Sequence, residues 1–327
     1  MTDWSKRKRL EAAVAGEKVD RPPVALWRHW PGDDQDAQAL AAAHLKWQQD
    51  YDWDLVKVSP SSSYCLTDWG VEDKWVGSLE GTREYTRRVV ERPADWETLP
   101  ILDPTKGSLA TQVETLRLVG QGLAKGTPFL ATIFSPLAQA KNLAGEATML
   151  SLMRSHPASF HQGLAVITES TLRYIEAAKA TGMSGIFYAI QHARYATMSP
   201  AEYREFGRPY DKQILAAVSD LWLNLLHAHG EGIMFGEIAD YPVQIVNWHD
   251  RESGVSLADG MAQIQGAVSG GVSRWTLHQE SPEAAAAEAQ DALAQTNGRR
   301  FLLSTGCVIM ITTPTRNIRA LRELVEK

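Results

Sequence analysis

The chain has 327 residues, 44% hydrophobic and 22% charged, the balance of a soluble globular protein. Its 33 Lys and Arg against 39 Asp and Glu leave a formal charge of −6, which argues against nucleic acid or an anionic membrane as the main partner. No run of about 18 apolar residues could span a bilayer, the charged stretch Met1 to Arg9 lacks the apolar core of a secretory signal, and two cysteines, Cys65 and Cys307, are too few for a disulfide framework. The expected setting is the cytoplasm.

Along the chain, apolar strand-like runs alternate with amphipathic helical stretches. A strand over 23–27 leads to a helix over 37–49 and a second strand over 54–59. Residues 74–90, with polar and apolar residues alternating around Gly81, read as a hairpin or small meander decorating whatever lies beyond the second strand. A proline-bounded connector over 96–104 leads to a helix over 107–122 and a strand over 128–134. Helices over 158–181, 200–220 and 282–297 separate further strands at 185–190, 222–227, 243–248, 264–272 and 300–306. Eight buried strands alternating with helices predict an α/β fold, a (β/α)8 TIM barrel with a β-hairpin insertion after strand 2, in one domain over 1–327. An open doubly wound sheet is the alternative, but no glycine-rich dinucleotide fingerprint follows the first strand. The eleven tryptophans include several near strand ends, where they could wall a pocket, although core packing is the commoner use.

Two strand ends carry metal-binding side chains. The run 221–226 closes on His227-Ala228-His229-Gly230, and the run 300–303 closes on Ser304-Thr305-Gly306-Cys307. Residues two apart in an extended chain point to one side, and at the C-terminal end of a barrel strand that side faces the mouth. His227, His229 and Cys307 therefore make a candidate metal set, two imidazoles and a thiolate with a position left open, as a reactive zinc site requires. Alone, a His-x-His is more often one buried and one surface histidine, and a lone cysteine is often a small buried hydrophobe; the strand-end placement of all three favours the metal. Arg28 and His29 follow the first strand, Gln191 and His192 the fourth, and Asn247, His249 and Asp250 the sixth. Arg28, His29, Gln191, His192, Asn247 and Asp250 are the candidate substrate-binding residues, Arg28 as a forked partner for a carboxylate. Glu231, Asp68 and Asp250 are outer-shell or fourth-ligand candidates whose commoner role is a solvated surface. Cys65 has no partner at ligand spacing and reads as structural, and the basic run Lys6 to Arg9 as a solvated helix start.

Three segments resemble the uroporphyrinogen decarboxylase family. They are the opening Asp20-Arg21-Pro22-Pro23-Val24-Ala25-Leu26-Trp27-Arg28, the helix start Met198-Ser199-Pro200-Ala201-Glu202-Tyr203 with Gly207-Arg208-Pro209-Tyr210, and Gly306-Cys307 followed by Thr313-Pro314-Thr315-Arg316-Asn317-Ile318. The resemblance covers nearly the whole chain and implies a (β/α)8 barrel. The family holds two chemistries, decarboxylation of uroporphyrinogen without a cofactor and zinc-dependent methyl transfer between corrinoids and thiols or other acceptors.

Against the decarboxylase branch, Arg28 matches. Gly32 stands for a second arginine, Ser59 for the aspartate closing the second strand, Asn142 for a tyrosine, and Cys307 for the C-terminal histidine. Against the methyltransferase branch, whose zinc sits on a His-x-Cys motif plus a distant Cys, His227 and Cys307 match and His229 replaces the first cysteine. The resemblance thus implies Zn2+, with a corrinoid (cobalamin) as co-substrate, a corrinoid protein as partner, and a functional homodimer that no sequence feature fixes. One thiolate fewer leaves the zinc more positive, better suited to water, alcohol or carboxylate than to a thiol. The expected function is zinc-dependent methyl transfer from methylcobalamin to a small nucleophile. The alternatives are a decarboxylase of a porphyrinogen or related carboxylate, and a non-catalytic corrinoid- or tetrapyrrole-binding barrel.

Overall fold

The computed structural model describes residues 4–326. Its strands in chain order are β1 (Val56–Val58), β2 (Glu72–Lys74), β3 (Glu84–Arg87), β4 (Phe129–Phe134), β5 (Gly185–Ile190), β6 (Leu225–Ala228), β7 (Ile245–Trp248), β8 (Ala267–Val272) and β9 (Phe301–Thr305). Seven of them form one parallel sheet in the order β1-β4-β5-β6-β7-β8-β9. The sheet closes on itself through Val24, which bridges in parallel to Leu303. Leu303 N donates to Pro23 O at 2.9 Å, and Ala25 N to Leu303 O at 3.1 Å. On the other flank Asp54 N donates to Val24 O at 3.0 Å. Eight staves therefore ring the core, as the alternation predicts.

The first stave is shorter than the expected 23–27. Pro22 and Pro23 have no N–H to give a ladder, and a side chain substitutes: the fully buried Asp54 carboxylate accepts Val24 N at 2.9 Å. The same carboxylate pairs with Arg9 and Arg21, each at 2.7 Å. Arg9 also holds Asp20 and is only 7% exposed. The basic run near the start is thus not simply solvated: through Lys6 and Arg9 the helix Lys6–Val14 is tied to Asp52 and Asp54 just before β1.

Other expectations hold with shifted boundaries. The helix expected over 200–220 is two, Pro200–Phe206 and Arg208–Ala217, because Pro209 has no N–H to continue the first. Two further helices, Pro136–Ala144 and Glu146–Ser155, precede Pro157–Lys179. The hairpin exists, but its paired parts are β2 and β3; the alternating residues between them are a loop that folds over the barrel mouth. Gly81 sits in that loop with φ +76°, where an added Cβ would lie 2.8 Å from the His29 Cβ. Trp53, Trp96 and Trp248 are packed inside the core, each removing on the order of 200 Å² from water; Trp27 alone of these four reaches the cavity described below.

One buried cluster ties the outer layer to the sheet. The Asp211 carboxylate is 1% exposed and accepts hydrogen bonds from the hydroxyls of Tyr188 on β5 at 2.5 Å, Tyr203 at 2.7 Å and Tyr241 at 2.8 Å. Burial pushes its carboxyl above the ordinary range and the three hydroxyls pull it back. Among the described residues, no helix is long and apolar enough to cross a membrane.

Candidate functional site

The parallel register builds the site. β6 pairs with β7 so that His227 lies beside Asn247, and the His227 Nδ1 meets Asn247 Oδ1 at 2.7 Å. Asn247 is fully buried. Its amide donates to Ser269 O at 3.0 Å and Thr305 O at 3.1 Å, so its oxygen is the atom left to accept. That fixes His227 with its proton on Nδ1 and a lone pair on Nε2. Cys307 follows β9, its carbonyl held by Thr305 Oγ1 at 2.6 Å, and its Sγ stands 3.7 Å from His227 Nε2. Tetrahedral zinc, with bonds of about 2.3 Å to sulfur and 2.0–2.1 Å to nitrogen, would set such a pair about 3.6 Å apart.

The third member is His249, just past β7. Its Nδ1 lies 3.0 Å from Glu252 Oε2, which places the proton there, and its Nε2 is buried without a hydrogen-bond partner. The ligand atoms of His227, His249 and Cys307 all lie within 4.8 Å of one another. Gly306 permits this approach: an added Cβ would fall 2.7 Å from His249 Cα. An orphaned imidazole nitrogen, a second imidazole locked by its neighbour and a thiol at tetrahedral spacing fit a metal ion, and both histidines carry the outer hydrogen bond that orients metal-bound imidazoles.

This set differs from the expected one at one position. His229 sits beside the trio, its ring 5.8 Å from that of His227 and 5.0 Å from that of His249, nearly perpendicular to both. It lines the cavity without joining the cluster, because the chain leaves the strand after Ala228 and turns at Gly230. His249 comes just after β7 and His227 near the end of β6, and that strand-end position is the signal by which His249 could have been read as a candidate ligand.

The electrostatics suit metal binding. Burial above all, then the neighbouring histidines, pushes His227 well below its ordinary value. Burial, then His249 and Arg274, lowers His229 to about 3, and burial also lowers His249, against Glu252. All three rings are therefore neutral near pH 7, the form that ligates. Burial raises the Cys307 thiol to about 11, so binding a metal must displace its proton.

The cavity above the cluster has a volume of ≈ 90 Å³ and is lined by Trp27, His29, Phe134, Phe187, Gln191 and Val308 among others. Its roof is the hairpin loop, whose Glu80 lines the cavity and pairs with Arg274 at 2.8 Å and whose Leu79 O accepts Ile311 N at 2.8 Å. Of the expected substrate residues, His29 and Gln191 line this cavity. His29 is held neutral, lowered to about 3 by burial and by Lys57. His192 is buried nearby with Nδ1 unpartnered. Asn247 acts behind His227. Asp250 turns to β8, accepting Gly271 N at 3.1 Å, and burial raises it to about 6.

Arg28 turns outward, donating to Ile311 O at 2.9 Å and stacking 4.4 Å over the Trp30 ring. Asp68 caps the helix Gly107–Gly122 through Ser108 N at 2.9 Å, Glu231 is exposed, and Cys65 is buried and unpaired. Among the cavity residues that the sequence reading did not single out, the charged one on a barrel strand is Lys57 on β1, 5% exposed. A lone lysine inside a short apolar strand was its signal.

Comparison with known proteins follows the same lines. The uroporphyrinogen decarboxylase (URO-D) family model matches residues 5–327. Methylcobamide:CoM methyltransferase MtaA of Methanosarcina barkeri is 23% identical over 343 residues, covering 98% of this chain and 97% of its own. Uroporphyrinogen decarboxylase of Syntrophotalea carbinolica is 26% identical over 164 residues, 48% of this chain and 47% of its own. The solved structure of a methyltransferase from Methanosarcina mazei superposes with a TM-score of 0.86 at 20% identity, covering 99% of each chain; at that identity the likeness speaks for the fold.

Proposed function

This chain belongs to the uroporphyrinogen decarboxylase (URO-D) family, and from that premise we propose that it is a zinc-dependent methyltransferase acting between a corrinoid and a small nucleophilic acceptor. The observation that carries this reading is the convergence of His227, His249 and Cys307 beside a small cavity that His227 and Cys307 help to line. Zinc bound there would supply Lewis-acid activation, lowering the pKa of a nucleophile at its open position. Asn247 and Glu252 hold the two imidazoles with their lone pairs inward. Trp27, Phe134 and Phe187 exclude water from the reacting end. His229 stands where it can contact the acceptor or complete the ligand set.

The size of the cavity supports a small acceptor. At ≈ 90 Å³ it is well below the ~300–1,000 Å³ of pockets that enclose drug-sized ligands, so it would admit a small acceptor and a methyl group but not a corrinoid ring. The decarboxylase reading loses its anchor, because Arg28 is engaged outside the cavity with Ile311 O and Trp30.

Metal analysis of the purified protein, with methylcobalamin demethylation followed by absorbance over a panel of thiol, alcohol and carboxylate acceptors, tests the proposal. One zinc per chain and demethylation lost in Cys307→Ala are the expected results. Metal-free protein, or activity untouched by that substitution or by excess chelator, would sink it.

A further inference from the structure

The stretch that leaves the first stave lines two separate spaces. Successive side chains of an extended chain point opposite ways. Trp27 and His29 line the mouth cavity, while Arg28 and Trp30 line a second cleft that shares no lining residue with it. This outer cleft lies between that stretch and the helix Ala37–Tyr51 and has a volume of ≈ 530 Å³. Spaces of ~300–1,000 Å³ are the ones that hold small molecules.

The floor of the cleft is aromatic and held in place. Trp47 Nε1 donates to Leu26 O at 3.0 Å. The Trp47 ring lies 4.5 Å from the Tyr51 ring and 5.7 Å from the Trp30 ring, centroid to centroid. Ala39, Ala42 and Ala43 share the same face of the helix and are too short to fill the space above the rings.

Arg28 brings an incompletely used cation to this space. Its guanidinium has five N–H donors. Nε donates to His29 O at 3.3 Å and Nη1 to Ile311 O at 2.9 Å, and among the described residues nothing accepts from Nη2 and no carboxylate pairs with the group. The Trp30 ring, 4.4 Å away, covers one of its faces, and Trp30 Nε1 is itself buried without an acceptor. Burial pushes Arg28 below its ordinary value, against Tyr51 and Asp33. The other cation of the cleft, Lys46, is already tied to Asp50 at 2.8 Å. Asp33 also lines the cleft, and its charge opposes a ligand with more than one negative group.

We propose that this outer cleft is a second binding site, for a small molecule that has a planar apolar body and a single carboxylate. The carboxylate meets the free N–H groups of Arg28 in a forked, charge-assisted pair. The apolar body covers Trp47 and Tyr51. Each half contributes, so an anion without the ring, or a ring without the anion, binds weakly. The site needs neither a metal nor methyl transfer, so it stands or falls apart from the proposed function.

Calorimetric titration with 2-naphthoate, its neutral analogue 2-naphthamide, and propionate tests both halves, on protein treated with chelator so that no carboxylate sits on a metal. Naphthoate should bind at least about 10-fold more tightly than either of the others. Arg28→Gln, which keeps a donor for Ile311 O, should bring naphthoate down to the level of the amide. Ala43→Phe, which fills the cleft and leaves Arg28 in place, should weaken naphthoate by a similar factor. Both variants should keep the wild-type circular dichroism and, before chelation, the wild-type zinc content. Absent binding of naphthoate, or equal binding of naphthoate and naphthamide by the wild type, overturns the proposal. So does a preference for naphthoate that survives in folded Arg28→Gln, or undiminished binding in folded Ala43→Phe.

Discussion

Asp211 and His249 are both buried polar groups in one barrel, and the chain treats them in opposite ways. Three tyrosine hydroxyls from different elements converge on Asp211, so a charge-capable group far from water is fully occupied. At the mouth, His249 Nε2, His192 Nδ1 and Ser62 Oγ are buried without partners, and Lys57 has one hydroxyl. Folded proteins rarely leave such atoms unpaired, since each costs about 1–3 kcal/mol. The satisfied cluster therefore reads as structure. Core atoms such as Trp53 Nε1 and Trp96 Nε1 are unpartnered too, so what sets the mouth apart is that its unpartnered groups lie with a metal-type side-chain cluster and a cavity. The β/α barrel supports that division, because its strand ends carry chemistry while its outer layer carries stability.

The comparison breaks if substitutions at the two clusters behave alike. Cys307→Ala should have the largest effect: demethylation falls to background and zinc no longer co-purifies, while the metal-free protein unfolds at nearly the wild-type denaturant concentration. Asp211→Ala should do the reverse. Three tyrosine hydroxyls lose their acceptor, at a cost of about 3–4 kcal/mol in denaturant unfolding, yet the folded fraction should bind its full equivalent of zinc. A Cys307 variant that unfolds, or an Asp211 variant that stays stable and loses metal, would reverse the assignment.

A subtler test sits between the two. Glu252 touches the cluster only through His249 Nδ1 and its side chain is about a quarter exposed. Glu252→Ala should weaken zinc binding by about 10–100-fold, the usual consequence of removing an outer partner, with little change in stability. Competition with a chromophoric chelator measures it. Unchanged affinity would mean His249 is not a ligand.

How far the sequence carried depends on what each residue's signal resembled. The eight staves were legible because buried parallel strands are continuous apolar runs. The first one shrank because Pro22 and Pro23 remove its ladder and the Asp54 side chain stands in, a long-range exchange with no local mark. His227 and Cys307 were legible as strand-end ligand types. His249, the third member of the proposed ligand set, was read only as a mouth residue, since the two-residue rule favoured His229, which the turn at Gly230 carries out of the cluster. Arg28 matched a motif in sequence, but a motif does not say which way a side chain points, and Trp30 offers its guanidinium a competing face. Lys57 was missed because a lysine among valines reads as a strand-edge charge; whether such a lysine meets a carboxylate is decided by staves distant in sequence.

His44 offers the smallest and sharpest check, because it lies near the functional cavity yet belongs with the satisfied groups. Its Nε2 accepts the Ser59 N–H at 3.0 Å and its ring is 2% exposed. Burial first, then Lys57, lowers it to about 3 from an ordinary 6.5. The unfolded chain therefore takes up a proton that the folded one refuses once the pH falls below 6.5. The stability this neutral ring contributes is whole above that value and drains away as the pH descends toward 3, by about 1.4 kcal/mol per pH unit. His44→Gln keeps an oxygen to accept Ser59 N and removes the titration. The stability lost between pH 7 and pH 5 should then shrink by about 2 kcal/mol relative to wild type, with zinc content and acceptor preference unaltered. If the substitution shifts acceptor preference and leaves the acid slope as it was, His44 belongs to the unsatisfied cluster, and the boundary between structure and site lies one layer further out from the cavity.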